Sequence, residues 1–433
     1  MGNVIIQKPP HPSMKAGPGV ILQAHLDMVC EKDSHILHDF SKDPIRLRID
    51  GDWLKANGTT LGADNGIGIA AVLAVLEDTT MVHGPLEVLL TVDEERGLAG
   101  ASAIERGALN GAYLLNFDSE EEGTFCIGCA GGGDTFFTIP VERKNKELPV
   151  CLEMRISGLT GGHSGIDIHR GRANALKVLV RVLSFMKETV DYELVSIEGG
   201  DKHNAIPRES LAYAYVRKED LEKAIMITRN IFDTIRYEYK HTEHEMNMTV
   251  AGHELDHKPL TTFSKDKLIN TLMVLPHGVL AMSPAVKDLV ETSTNLASLR
   301  TKETHVEIVE SSRSSLPSAL EQVRASLKAF SHVLSPCTIE QPEGYPGWVP
   351  DPESPLLAMM KRIYRNLFGK EPEVKAVHAG LETGILGERI GGLKMISFGP
   401  DIKNPHSPDE RVNVPSVERF WRLLTETLKE LKD

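Results

Sequence analysis

Five stretches of this sequence carry imidazole or carboxylate groups in settings that suit metal chemistry: His25-Leu26-Asp27, Asp64 after Leu61-Gly62-Ala63, Asp93-Glu94-Glu95, Asp118, and His406 within Asn404-Pro405-His406-Ser407-Pro408. In an extended chain side chains alternate with a period of two, so His25 and Asp27 share a face. That suits an imidazole ligand oriented by a carboxylate. Asp64 follows glycine in a tight turn before a helix, and by itself reads as a helix-capping aspartate. Asp93, Glu94 and Glu95 crowd three carboxylates at the end of an apolar run, where like charges repel unless cations are present. If the chain stays extended, Glu94 and Glu95 face opposite ways, one toward a metal and the other toward substrate as a general base. Two His, one Glu and two Asp form a mixed nitrogen and oxygen donor set suited to zinc, with manganese or cobalt as alternatives. A shared carboxylate can bridge two such ions about 3.5–4 Å apart, and the pair would activate water and polarise a carbonyl.

Such groups must be positioned by regular elements, and the patterning supplies them. Val20-Ile21-Leu22, Leu86 to Val92 and Tyr113 to Phe117 read as short buried strands, with Ile67 to Leu76 a buried helix between them. Residues 1–134 therefore have the alternation of an α/β sheet with crossover helices. In an open sheet of that kind ligand sites form beyond the carboxyl ends of strands, which is where the five stretches fall. Residues 135–345 have a different texture: strand-like Cys151 to Ile156, Leu211 to Val216, Met246 to Val250 and His305 to Val309 alternate with long amphipathic helices. This predicts an inserted α+β domain, and the paired strand-then-helix segments Leu211 to Ile235 and His305 to Val333 hint at an internal duplication. A Pro/Gly-rich linker from Gln341 to Pro352 leads back to α/β texture in 346–433. There Ser354 and Pro355 mark a helix start, Met395 to Phe398 a strand, and Val417, Phe420, Leu424, Leu428 and Leu431 one apolar helix face.

At 433 residues and 41% hydrophobic content the chain can bury the cores of two domains. No run of 18 apolar residues occurs, and Met1 to Ile6 lacks the features of a signal peptide, so a cytoplasmic address is expected. Five cysteines, an odd number without a framework, fit a reducing compartment, and Cys126-Ile127-Gly128-Cys129 reads as structural rather than half of a zinc site. A net charge of −13 argues against nucleic acid or an anionic membrane as partner.

Seven stretches, in order along nearly the whole chain, resemble the M20 metallopeptidases, and within them the cytosolic aminoacyl-histidine dipeptidases. They are Leu22 to Val29, Gly62 to Gly68, Thr91 to Glu95, Asn116 to Glu120, Gly161-Gly162-His163-Ser164-Gly165, His378-Ala379-Gly380-Leu381-Glu382, and Pro405 to Arg411. The resemblance implies a zinc-peptidase-like α/β catalytic domain, a mixed sheet flanked by helices, with an inserted lid or dimerisation domain. It implies that Asp64 bridges two metal ions, with His25 and Asp118 completing one site and Glu95 and His406 the other. It assigns Glu94 as general base, Asp27 as the residue orienting His25, and His163 as the group stabilising the oxyanion. Asn295 and Arg313 resemble positions that hold the substrate carboxylate, a task that suits a planar guanidinium. His378 and Glu382 match a motif near the substrate.

In that family acylases and carboxypeptidases usually carry Glu at the position of Asp118 and di- and tripeptidases Asp, so the resemblance implies a substrate with a free α-amino group. Dipeptides, Xaa-His and β-alanyl-histidine among them, are the substrates the resemblance implies, and a homodimer through the inserted domain is expected with it. Within the same family an amidohydrolase of N-acyl amino acids is the competing enzyme reading. The resemblance also places several tens of mostly helical residues ahead of the strand Asn3 to Gln7; their lack predicts exposed apolar surface and a second competing reading, a catalytically impaired short form that acts as a binding protein.

Overall fold

The computed structural model describes residues 1–431, which divide into two compact units. One comprises residues 1–129, 285–287 and 346–431; the other comprises residues 130–284 and 288–345.

The first unit is built on a seven-stranded mixed sheet in the order Val4–Lys8, Leu86–Thr91, Val20–His25, Tyr113–Asn116, Lys394–Ser397, Thr124–Cys129, Glu373–Val377. The central strands Leu86–Thr91, Val20–His25, Tyr113–Asn116 and Lys394–Ser397 run parallel. Val4–Lys8 joins one edge antiparallel. Parallel strands are covered on both faces, which explains why Val20–His25 is buried at every position. Val20, Leu22 and Ala24 pack with Val72, Val75, Phe420 and Leu424 on one face, while Ile21 packs with Leu89, Leu114, Ile385 and Leu386 on the other. That second face changes character along the strands. Two residues beyond Ile21, Leu89 and Leu114 stand Gln23, Thr91 and Asn116, all buried, and two beyond Gln23 stands His25. The period of two thus leads from an apolar floor through a polar layer to the His25 imidazole at the carboxyl ends.

Two further pieces of this unit carry site residues. The helix Ala63–Glu77 follows Gly62, whose φ of +70° is a left-handed conformation that a side chain would oppose and where a Cβ would meet Met28. A four-stranded antiparallel sheet of Ile402–Lys403, Arg411–Asn413, Trp53–Ala56 and Leu47–Asp50 presents the loop that contains His406.

The second unit is a nine-stranded antiparallel sheet covered by the helices Ala175–Met186, Leu221–Glu238, Thr262–Val274 and Pro317–Val333. Its core is continuous, from Phe137 and Leu152 through Leu179 and Leu183 to Leu296 and Ile308. The overall class is mixed α/β, as the patterning implies. No described helix is long and apolar enough to cross a membrane. The five cysteines are free, and burial pushes the Cys126 thiol up to about 12, so it is inert under ordinary conditions.

Candidate metal centre

Asp64 stands at the centre of the site because the backbone departs from the helix there, with φ −83° and ψ 104°. Its two carboxylate oxygens face different partners. Oδ1 lies 3.0 Å from His25 Nε2, which is also 3.2 Å from Asp118 Oδ1. Oδ2 lies 3.2 Å from His406 Nε2, itself 3.0 Å from Glu95 Oε1. The ligand atoms of His25, Asp64 and Asp118 lie within 4.8 Å of one another, as do those of Asp64, Glu95 and His406. Two triads therefore share one carboxylate, and the structure brings together the five groups the sequence singles out.

His25 is 1% exposed, and its Nδ1–H donates to the backbone carbonyl of Asp27 at 2.9 Å, which leaves Nε2 for the acidic partners. Burial opposes a charge on this imidazole, yet the Asp118 and Asp64 carboxylates raise its pKa to about 12. For His406 the same two kinds of partner, Asp64 and Glu95, raise it to about 10. Burial works to raise the pKa of Asp64, but hydrogen bonds from His25 and His406 hold it well below the usual carboxylate range. Burial then pushes the remaining acids the other way, with neighbouring negative charge adding to it: Glu94 to about 8, Asp118 to about 6 and Glu120 to about 7. Glu95 Oε1 is buried without a well-formed hydrogen bond. A crowd of acids that burial and mutual repulsion destabilise, set against two imidazole nitrogens, is the donor chemistry of two divalent cations, and the residues fit them.

The segment carrying Glu94 and Glu95 does not stay extended. Asp93 has a φ of +53°, and the Glu94 carbonyl accepts the Gly97 and Leu98 N–H groups at 3.0 Å each, so the chain turns. Both Glu94 and Glu95 consequently remain within ligand reach of His25 instead of diverging. The Asp27 carboxylate holds this turn, accepting the N–H groups of Glu94 and Glu95 at 3.1 Å each. Its distance to His25 Nδ1 is 3.6 Å, so the imidazole is oriented by the backbone carbonyl of Asp27 at closer range.

Glu382 opens the helix Glu382–Ile390 and is 1% exposed. Its Oε2 accepts Gln23 Nε2 at 2.6 Å and Thr91 Oγ at 2.7 Å, and Oε1 has no hydrogen bond. Burial, with the charge of Asp118 adding to it, pushes its carboxyl up to about 7. Gln23 Oε1 accepts Asn116 Nδ2 at 2.5 Å, and Asn116 Oδ1 accepts the Asp118 N–H at 3.2 Å. A buried polar chain therefore runs from Glu382 to a candidate ligand. His378 is also buried, one residue beyond the strand Glu373–Val377.

His163, Asn295 and Arg313 belong to the second unit, where they converge. His163 pairs with Ala205, whose carbonyl accepts Asn295 Nδ2 at 2.9 Å. Arg313 donates from Nη1 to the Tyr345 hydroxyl at 2.7 Å. His163 Nδ1 accepts the N–H groups of Gly165 and Ile166 at 3.1 Å each, so the ring proton sits on Nε2. Burial and the nearby Arg313 charge lower its pKa to about 4, which keeps the imidazole neutral.

Several further residues at the site lie in the stretches that carry the resemblance but have no role assigned to them there. Asn65 donates to Asp118 Oδ1 at 3.0 Å. Glu120, in an acidic run that reads as a solvated loop, instead sits beside Asp64 and Asp118, while Glu121 pairs with Lys375 at 2.7 Å. Glu410 accepts four backbone N–H groups before and at Asp64. Its place in the Pro405 to Arg411 stretch, four residues after His406, is the signal that could have pointed to it.

Comparison with known proteins adds to this geometry. Residues 21–430 match the profile of peptidase family M20/M25/M40. The cytosol non-specific dipeptidase of Escherichia coli strain K12 is 41% identical over 434 residues, spanning 100% of this chain and 89% of that protein. The crystal structure of aminoacylhistidine dipeptidase from Vibrio alginolyticus is 40% identical with a TM-score of 0.91, covering 99% of this chain and 87% of that one.

Proposed function

The chain belongs to peptidase family M20/M25/M40, and from that premise we propose that it is a cytosolic two-metal dipeptidase whose general base is Glu94. The observation that carries this reading is Asp64, each of whose oxygens faces one imidazole and one further carboxylate. Two divalent ions, zinc with manganese or cobalt as alternatives, held by His25, Asp64 and Asp118 and by Asp64, Glu95 and His406, would lower the pKa of water and polarise the scissile carbonyl.

Glu94 takes the proton from the attacking water and returns it to the leaving amine, a role its carboxylate can fill from within ligand reach of His25. Asp27 holds Glu94 in place through the turn at Asp93. His163, neutral with its proton on Nε2, donates that proton in a hydrogen bond to the oxyanion, from its own chain or from a second copy in a homodimer formed through the inserted domain. Arg313 and Asn295 bind the substrate carboxylate, and His378 and Glu382 the remainder of the substrate, a dipeptide with a free amino end that includes Xaa-His. Identity with both a non-specific and an aminoacylhistidine dipeptidase at about the same level supports that breadth.

The test is hydrolysis of β-alanyl-histidine and of a plain dipeptide by metal-free protein titrated with Zn²⁺ or Mn²⁺, beside Glu94→Ala. Metal-dependent cleavage that is lost in Glu94→Ala while metal still binds is expected. Cleavage of N-acyl amino acids with silence on every free-amine dipeptide would overturn the reading.

A further inference from the structure

The amino end of a helix leaves N–H groups without helical partners, and a nearby aspartate ordinarily takes them with its own side chain. At the start of the helix Ala63–Glu77 this does not happen. Asp64 turns its carboxylate to His25 and His406, and the orphan donors are taken by a residue from a distant loop. Glu410, 2% exposed, accepts the Leu61 and Gly62 N–H groups on Oε2 at 2.7 and 2.9 Å, and those of Ala63 and Asp64 on Oε1 at 2.8 and 3.3 Å. A carboxylate there also meets the positive end of the helix dipole. The loop that brings it is the one that carries His406, folded on itself by the Glu410 N–H to the Ser407 carbonyl at 3.0 Å and by Ser407 Oγ to the Asn404 carbonyl at 2.9 Å. Left-handed backbone at Asn404 and His406, with φ of +54° and +59°, turns the imidazole toward Asp64.

We propose that Glu410 is a positioning residue of the metal centre: it locks the turn bearing Asp64 to the loop bearing His406, and by capping the helix it frees the Asp64 carboxylate to serve both triads. The inference rests on the two-metal reading above. It predicts that loss of the clamp acts on the geometry of the Asp64, Glu95 and His406 triad and not on stability alone.

The experiment compares wild type, Glu410→Gln and Glu410→Asp loaded stepwise with Co²⁺, following visible absorption, with unfolding of the metal-free proteins and dipeptide kinetics in parallel. Wild type should take up two equivalents. Glu410→Gln turns an amide NH₂ toward backbone donors; its second equivalent should bind at least tenfold more weakly with a displaced absorption band. At saturating metal its kcat should fall roughly 10- to 100-fold with KM within about threefold, and Glu410→Asp should lie between. A destabilised Glu410→Gln with wild-type spectrum, affinity and kcat would make Glu410 a plain helix cap and overturn the proposal. Should Glu410→Gln fail to fold, Glu410→Asp decides by the same spectrum, a wild-type band overturning the proposal. A wild type that binds fewer than two equivalents would instead sink the two-metal reading.

Discussion

Replacing Asp27 by Asn asks what holds Glu94, the proposed general base. In the structure one carboxylate oxygen accepts the Glu94 N–H and the other the Glu95 N–H, at 3.1 Å each, while His25 Nδ1–H goes to the backbone carbonyl of Asp27 at 2.9 Å. Asparagine keeps the volume and one oxygen, but it sets an NH₂ against the second N–H and removes the charge from the first bond. A hydrogen bond to a charged group contributes about 1.5–3 kcal/mol, and the orphaned N–H adds a cost of its own. With most of that expressed as displacement of the turn carrying Glu94, and about 1.36 kcal/mol per factor of ten in rate, kcat should fall roughly 10- to 100-fold. The assay is dipeptide hydrolysis across a metal titration. The loss should persist at saturating metal, because the proposed base and not only the proposed ligand Glu95 has moved, and KM should stay within about threefold. A rate that returns to within about threefold of wild type once metal saturates would refute the reasoning and give the carboxylate the task of orienting His25.

Three further outcomes follow from the same geometry. Gln23→Leu should destabilise the metal-free protein by about 3–5 kcal/mol in denaturant unfolding, since it leaves Glu382 with Thr91 as its one remaining side-chain donor and strips the Asn116 amide of its acceptor in a buried layer; a change below about 1 kcal/mol would show that the layer is not a connected network. Glu310 is fully buried, and burial, opposed by a hydrogen bond from Thr294 and by the charge of Lys177, raises its carboxyl from 4.5 to about 8. The folded state therefore keeps a proton that the unfolded state gives up, so stability falls as pH rises from about 4.5 to 8, by up to roughly 5 kcal/mol in the limit. Glu310→Gln should match wild type near pH 4.5 and exceed it at pH 8 in unfolding midpoint; parallel pH profiles would refute this. Chelation should lower the melting temperature reversibly, because Glu94, Asp118 and Glu120 then crowd without a compensating cation, and an unchanged melting temperature with metal demonstrably removed would count against the two-metal reading.

The candidate site was legible where chemistry and local pattern coincide. His25 closes one apolar strand and Asp118 follows another by two residues, and their placement follows from strand direction in a parallel sheet, a rule that needs no knowledge of distant partners. The Asp93 turn was not legible: extended backbone is the default after a strand, and a positive φ at a non-glycine residue is imposed by the Asp27 carboxylate capturing two N–H groups. Nor was Glu120, since exposed and buried members of an acidic run look alike until the fold selects one.

By itself the sequence determined which side chains stand at strand ends, the α/β alternation and the apolar faces that close it, because strand and helix periods and hydrophobicity act over a few residues. Only the tertiary structure decided how those groups face one another. Glu410 reaches the Asp64 turn across 346 residues, and Glu382 reaches Gln23 across 359. No local period encodes such pairings; they exist because a buried donor or acceptor must be satisfied by whichever group the closed fold brings beside it.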